Sequence, residues 1–184
     1  MGPAKESNLI ILRTTNLHWI DGSLDDPKDL CAHGNVDFQI DGHTLLSGVH
    51  CTVSAAALFL LRTLSNRHTK SQPVGGWLFP CCGNGIFEIE GQDDVHVLGC
   101  NSGIEFEVVH VGNEVLITAE DATQYRVSIA EWTNAVCAFA DAVRAFYTSS
   151  SPKEVEDEFD ARSFQKFLSE WSRRRLLAGT IPIS

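Results

Sequence analysis

"IFEIEGQDDVHVLGCNSGIEFEVVHVGNEVLITAEDATQYRVSI", residues 86–129, alternates apolar and polar side chains in short runs: IFEIE, VHVLGC, GIEFEVVHV, EVLITAE and YRVSI. A period of two puts one set of side chains on one face, as half-buried strands require. The runs are separated by GQDD, NSG, GN and EDATQ, which are turn sequences. Links this short exclude a parallel crossover, which takes roughly a dozen residues or more. The stretch therefore predicts an antiparallel meander.

Outward from it, the first third carries two more strand signals. NLIILRTTNLHWI is rich in β-branched and apolar residues and ends in the loop sequence DGSLDDPKD. In VDFQIDGHTLL, Val36, Phe38 and Ile40 alternate with Asp37 and Gln39, and Asp41-Gly42 suits a type I′ hairpin turn. The period then changes. Ala55, Leu58, Leu61 and Leu64 recur at three-residue steps, predicting a helix with Ser54 as its N-cap and an end near Asn66. HTKSQPVGG, 68–76, reads as a polar, flexible connector.

The last third is helical. Trp132, Val136, Phe139, Ala140, Val143 and Phe146 form one apolar stripe, and after SSSPKEVEDEFD a second stripe of Phe164, Phe167, Leu168 and Trp171 ends in Arg173, Arg174 and Arg175. Acid first and base last complements the helix dipole. The whole reads as an α+β fold: a meander of about six to eight antiparallel strands, one inserted helix, and two C-terminal helices packed on a sheet face.

Size and composition bound the rest. With 184 residues, 43% apolar and 21% charged, residues 1–184 fit one domain, with fraying expected only at 1–7 and 178–184. Twenty-four acidic against fourteen basic side chains leave a net charge of −10, which disfavours a nucleic-acid partner and favours a basic protein. The longest apolar run, AAALFLL, is too short to span a bilayer, so no membrane partner is expected. The opening lacks the apolar stretch of a signal peptide, which points to the cytoplasm and to reduced thiols for all six cysteines.

Candidate chemistry centres on LFPCCGNG, 78–85. Cys81 and Cys82 with Cys31 and His33 of CAHG would supply four zinc ligands. The spacing opposes it, because adjacent side chains on an extended segment point to opposite faces. The expected role of Cys81 and Cys82 is a bend into the meander, one thiol in the core and the other at the surface, with no metal or cofactor. No Cys-x-x-Cys, P-loop, dinucleotide fingerprint, HExxH or GxSxG occurs, and any cysteine–histidine pairing would be arbitrary. The acidic run Glu154, Glu156, Asp157, Glu158 and Asp160 lacks the glycine and ligand order of a calcium loop. It serves either as helix N-terminal charge or as a docking surface for a basic protein.

DLCAHG, TVSAAALFLLRTL, PCCG, GCNSGIEFEVVH, FADAVRAFY, SPK and EWSRR together resemble a family of small, functionally uncharacterised bacterial cytosolic proteins over about residues 29–175. The resemblance implies no catalytic residues. By analogy, its compact acidic character is similar to that of immunity proteins that neutralise bacterial toxins. The expectation is thus a non-catalytic binding protein occluding a cationic toxin; the alternative is a small metal-binding or cysteine-dependent enzyme built on Cys31, His33, Cys81 and Cys82.

Overall fold

The computed structural model describes residues 9–82, 85–155 and 157–179, so most of both segments expected to fray lies outside the described residues. In chain order the elements are β1 (Ile10–His18), β2 (His33–Ile40), β3 (His43–Cys51), α1 (Val53–Thr63), β4 (Phe79–Pro80), β5 (Gly85–Phe87) and β6 (His96–Leu98). Then follow β7 (Gly103–Ile104), β8 (Glu107–Val111), β9 (Glu114–Thr118), β10 (Gln124–Ser128), α2 (Ile129–Ser149) and α3 (Glu158–Ala178). The fold is α+β, and every strand pairing is antiparallel.

The hairpin of β2 and β3 turns at Asp41 and Gly42, with φ of 52° and 78°, the left-handed pair a type I′ turn needs. β8, β9 and β10 form the meander. Among the described residues the strands do not make one continuous sheet, however. They fall into two three-stranded ladders, β1-β2-β3 and β8-β9-β10, and two short pairs, β4-β7 and β5-β6. Side chains take over the backbone bonds that would have extended the ladders. Ser163 Oγ on α3 accepts the Glu88 N–H at 2.9 Å and Lys166 Nζ donates to Ile89 O at 2.8 Å, ending the IFEIE strand after Phe87. Glu105 turns inward between β7 and β8, its Oε1 accepting the N–H groups of Leu78 and Phe106 at 3.3 and 3.2 Å.

α1 is the centre of the core. All of its residues from Val53 to Thr63 are buried, so the three-residue spacing marks a helix covered on every side. The cap lies elsewhere than the sequence implies. Thr52 occupies the N-cap position without a side-chain cap bond, while Ser54, inside the first turn, gives its N–H and Oγ–H to Ala32 O at 3.3 and 3.5 Å. The connector after it is pinned at its start: His68 is fully buried and exchanges both backbone bonds with Val108 at 2.8 Å.

α2 opens on a capping box in which Ser128 and Glu131 satisfy each other's backbone N–H. Its stripe packs on β1 and α1, and Trp132 Nε1 donates to Thr63 Oγ1 at 3.1 Å. The loop that follows β1 is fastened to its far end: Tyr147 O–H donates to Leu30 O at 2.6 Å, and Lys153 Nζ lies over the Trp19 ring while donating to Asp26 O.

α3 starts at Asp157, whose Oδ1 accepts the N–H groups of Phe159 and Asp160 at 2.7 and 3.2 Å. Among the proposed docking carboxylates, Asp157 is thus committed to the helix, and Glu154, Glu158 and Asp160 are exposed around it. Glu156 lies outside the described residues. Asp157→Ala is expected to cost about 0.5–2 kcal/mol, the usual weight of an N-cap, measured by urea unfolding. No change in stability would show that the cap bonds contribute nothing and leave Asp157 to the solvent.

The arginines after the second stripe do more than complement a dipole. Glu170, 1% exposed, accepts Arg62 Nε and Nη2, both at 2.8 Å, Arg174 Nε at 2.7 Å and the Val95 N–H at 2.8 Å. Arg62 also donates to the Val74 and Val95 carbonyls at 2.7 Å, and Arg174 to Asp94 at 2.7 Å. One carboxylate therefore joins α1, α3 and the segment before β6. Arg175 adds a surface pair to Asp141 on α2 at 2.8 Å.

Candidate metal centre

The pairing of β4 with β7 sets Phe79 opposite Ile104 and Pro80 opposite Gly103, and the Cys81 N–H extends it by donating to Ser102 O at 3.1 Å. The strands meet closely. A Cβ on Gly103 would lie 2.5 Å from Trp77 Cβ and 2.7 Å from the Phe79 carbonyl oxygen, so only glycine permits the approach. Continued past its last pair, this register sets Asn101 opposite Cys82, and Cys100 is the next residue along.

The Sγ atoms of Cys81, Cys82 and Cys100 all lie within 4.8 Å of one another. Thiolates sharing one ion at a metal–sulfur distance of about 2.3 Å are themselves about 3.8 Å apart, so the three sulfurs are close enough to converge on one ion with small side-chain shifts. Cys81 and Cys82 are both exposed and Cys100 half-buried. The expectation of one thiol in the core is corrected: the chain bends at Cys82 and leaves the extended geometry that would have sent adjacent side chains to opposite faces.

Cys31 and His33 do not join them. Among the described residues the thiols are the single group of three or more such ligands at this spacing. Cys31 is buried, its N–H held by Asp29 Oδ1 at 2.8 Å, and the His33 ring stacks against those of His18 and His50. The four-ligand set Cys31, His33, Cys81, Cys82 is therefore not assembled, and Cys100, 18 residues beyond Cys82, takes the third place. Two strands separate the PCCG segment from GCNSG, and nothing in their spacing signals that these segments pair.

The thiols are electrostatically unequal. A hydrogen bond from the Cys82 thiol, above all, holds the Cys100 thiol below its ordinary range, and backbone N–H groups add to the effect. The same bond to Cys100 leads the causes that push Cys82 up to about 11. Cys100 thus ionises more readily than Cys82, which donates to it. Burial pushes nearby Cys51 up to about 12, which keeps it a thiol and outside the ligand set.

A cavity of about 480 Å³ opens beside Cys100, walled by Phe59, Trp77, Pro80, His96 and Glu105. Glu105 is fixed there by buried His68, whose Nε2 lies 2.5 Å from Oε1. Because His68 Nδ1 accepts the Val74 N–H at 3.1 Å, its Nε2 carries the hydrogen and donates. Both residues stand at positions that the alternating pattern and the polar connector assign to the surface. No protein-family model, curated protein or solved structure matches this chain.

Proposed function

We propose that the chain is a thiol-based metal-binding protein in which Cys81, Cys82 and Cys100 take one thiophilic ion, Zn²⁺ or Cu⁺. The observation that carries this reading is the convergence of three sulfur atoms from two segments to ligand spacing at an accessible surface. Three protein ligands with exposure to solvent leave a coordination position open, the arrangement of a site that exchanges its ion or offers it to another molecule. Binding would displace the thiol protons, and the Cys100 thiol, held below its ordinary range, gives up its proton more easily than that of Cys82. Capture of a basic protein on Glu154, Glu156, Asp157, Glu158 and Asp160, as an immunity protein would make it, rests on clustered charge and is placed second, because charge alone specifies no geometry.

The test is titration of the reduced, untagged protein with Zn²⁺ against a chromophoric chelator, together with Co²⁺ absorption as a readout of thiolate bonding. One equivalent per chain is expected, with sulfur-to-cobalt charge transfer. Cys100→Ser should weaken binding at least about tenfold, no less than losing a group that merely orients a ligand. Its melting temperature in EDTA should be unchanged. Binding that is absent, or equally tight in Cys100→Ser, would overturn the assignment.

A further inference from the structure

A second cluster stands on the first sheet, formed by one histidine from each of its strands. The His18, His33 and His50 rings make a nearly equilateral triangle, with centroids 6.0 Å apart for His18–His33, 5.4 Å for His18–His50 and 5.8 Å for His33–His50. A break in the ladder creates it. Thr15 pairs with Asn35, yet the next pair is His18 with His33, so β1 advances three residues while β2 advances two. Regular pairing would have set Leu17 opposite His33. The bulge centres on Asn16, which holds φ at 52°, a left-handed value uncommon outside glycine. Bulges of this kind re-aim a side chain. Here the bulge brings an imidazole in place of a leucine.

The same bulge fixes the tautomer of His18. Its Nδ1 lies 2.6 Å from the Asn16 carbonyl oxygen, which can only accept, so Nδ1 carries the proton and Nε2 presents a lone pair. A histidine held through its other nitrogen by a carbonyl is the usual support of a metal ligand. His50 Nε2 lies 3.4 Å from His18 Nε2. That separation is long for a hydrogen bond and equals the roughly 3.4 Å between two nitrogens bound at about 2.0–2.1 Å to one tetrahedral ion. His33 supplies the third observation. It is 3% exposed, and its Nε2, shut off from solvent, has no hydrogen-bond partner among the described residues. A buried polar nitrogen left without a partner is costly and calls for one.

We infer that His18, His33 and His50 form a binding site for a divalent transition-metal ion of the Zn²⁺, Ni²⁺ or Cu²⁺ class, separate from the three thiols. Imidazole suits these ions as thiolate suits softer ones. His18 and His50 already stand at ligand spacing. His33 completes the set by turning its ring toward them, since the three rings together do not yet meet that spacing.

The test uses untagged protein carrying Cys81→Ser, Cys82→Ser and Cys100→Ser, with Zn²⁺ as the probe in isothermal titration calorimetry. One ion per chain is expected, accompanied by shifts of the ¹⁵N resonances of the three rings. Adding His50→Ala should weaken binding at least about tenfold while leaving the melting temperature in EDTA unchanged, because His50 is exposed. If the triple serine chain folds poorly, parent protein alkylated at its accessible thiols gives the same measurement. No saturable site on the triple serine chain, or binding indifferent to His50→Ala, would overturn the inference. Because the thiols are absent from this background, its outcome is independent of the Cys100→Ser titration.

Discussion

Replacing Glu170 with alanine is expected to lower unfolding stability by about 3–5 kcal/mol, because it leaves two buried guanidinium groups without their shared anion. Arg62 and Arg174 are 7% and 9% exposed, too enclosed for water to replace the carboxylate. The Val95 N–H loses its acceptor at the same time. Urea unfolding with a two-state fit measures the effect. Glu170→Gln separates charge from shape: it keeps the volume and part of the hydrogen bonding, and it should still be destabilised by well over 1 kcal/mol, since hydrogen bonds to charged groups contribute about 1.5–3 kcal/mol. A loss below about 1 kcal/mol for the alanine variant would mean that water or a rearranged Asp94 compensates both arginines, contrary to the enclosed geometry.

The second large effect is expected at Phe139, where substitution by alanine should cost about 3–5 kcal/mol through lost burial and the cavity left behind. Phe139 is 1% exposed on the stripe by which α2 packs against β1 and α1. α1 is held from all sides, so the helices have little freedom to close the gap. Unfolding in urea again reports it, and the m-value should stay constant if only the native core has changed. A loss under about 1 kcal/mol would mean that the site collapses around the smaller side chain.

How much of this was legible follows from the range of the interactions. The α2 stripe, the Asp41-Gly42 turn and the β8-β9-β10 meander depend on neighbours in sequence, and the pattern of residues displays them directly. Ser54 misled because the same side chain that caps a helix from its N-cap can bind a carbonyl brought from elsewhere, here that of Ala32. Glu105 and Glu170 look like the polar half of alternating or amphipathic patterns. Their inward course depends on His68 and Arg62, 37 and 108 residues away. The site divides in the same way. Cys81 and Cys82 stand out as a pair, but their shared face comes from a local bend and their third partner from a strand pairing of two residues. The histidine cluster depends on one extra residue in β1, a shift to which hydrophobic periodicity is blind.

The Glu170 junction also bears on folding during synthesis. Arg62 belongs to a helix whose apolar surface is ready to be covered early, yet 108 residues separate it from the carboxylate that neutralises it. At about 5–20 residues per second, a ribosome takes roughly 5–20 s to cross that interval. Throughout it, sinking α1 into a core means burying a lone cation, whereas leaving it outside exposes the leucines of that helix to water and to other chains. Docking of α1 is therefore expected to follow the emergence of α3, which pulse proteolysis of stalled nascent chains that end before and after Glu170 would check.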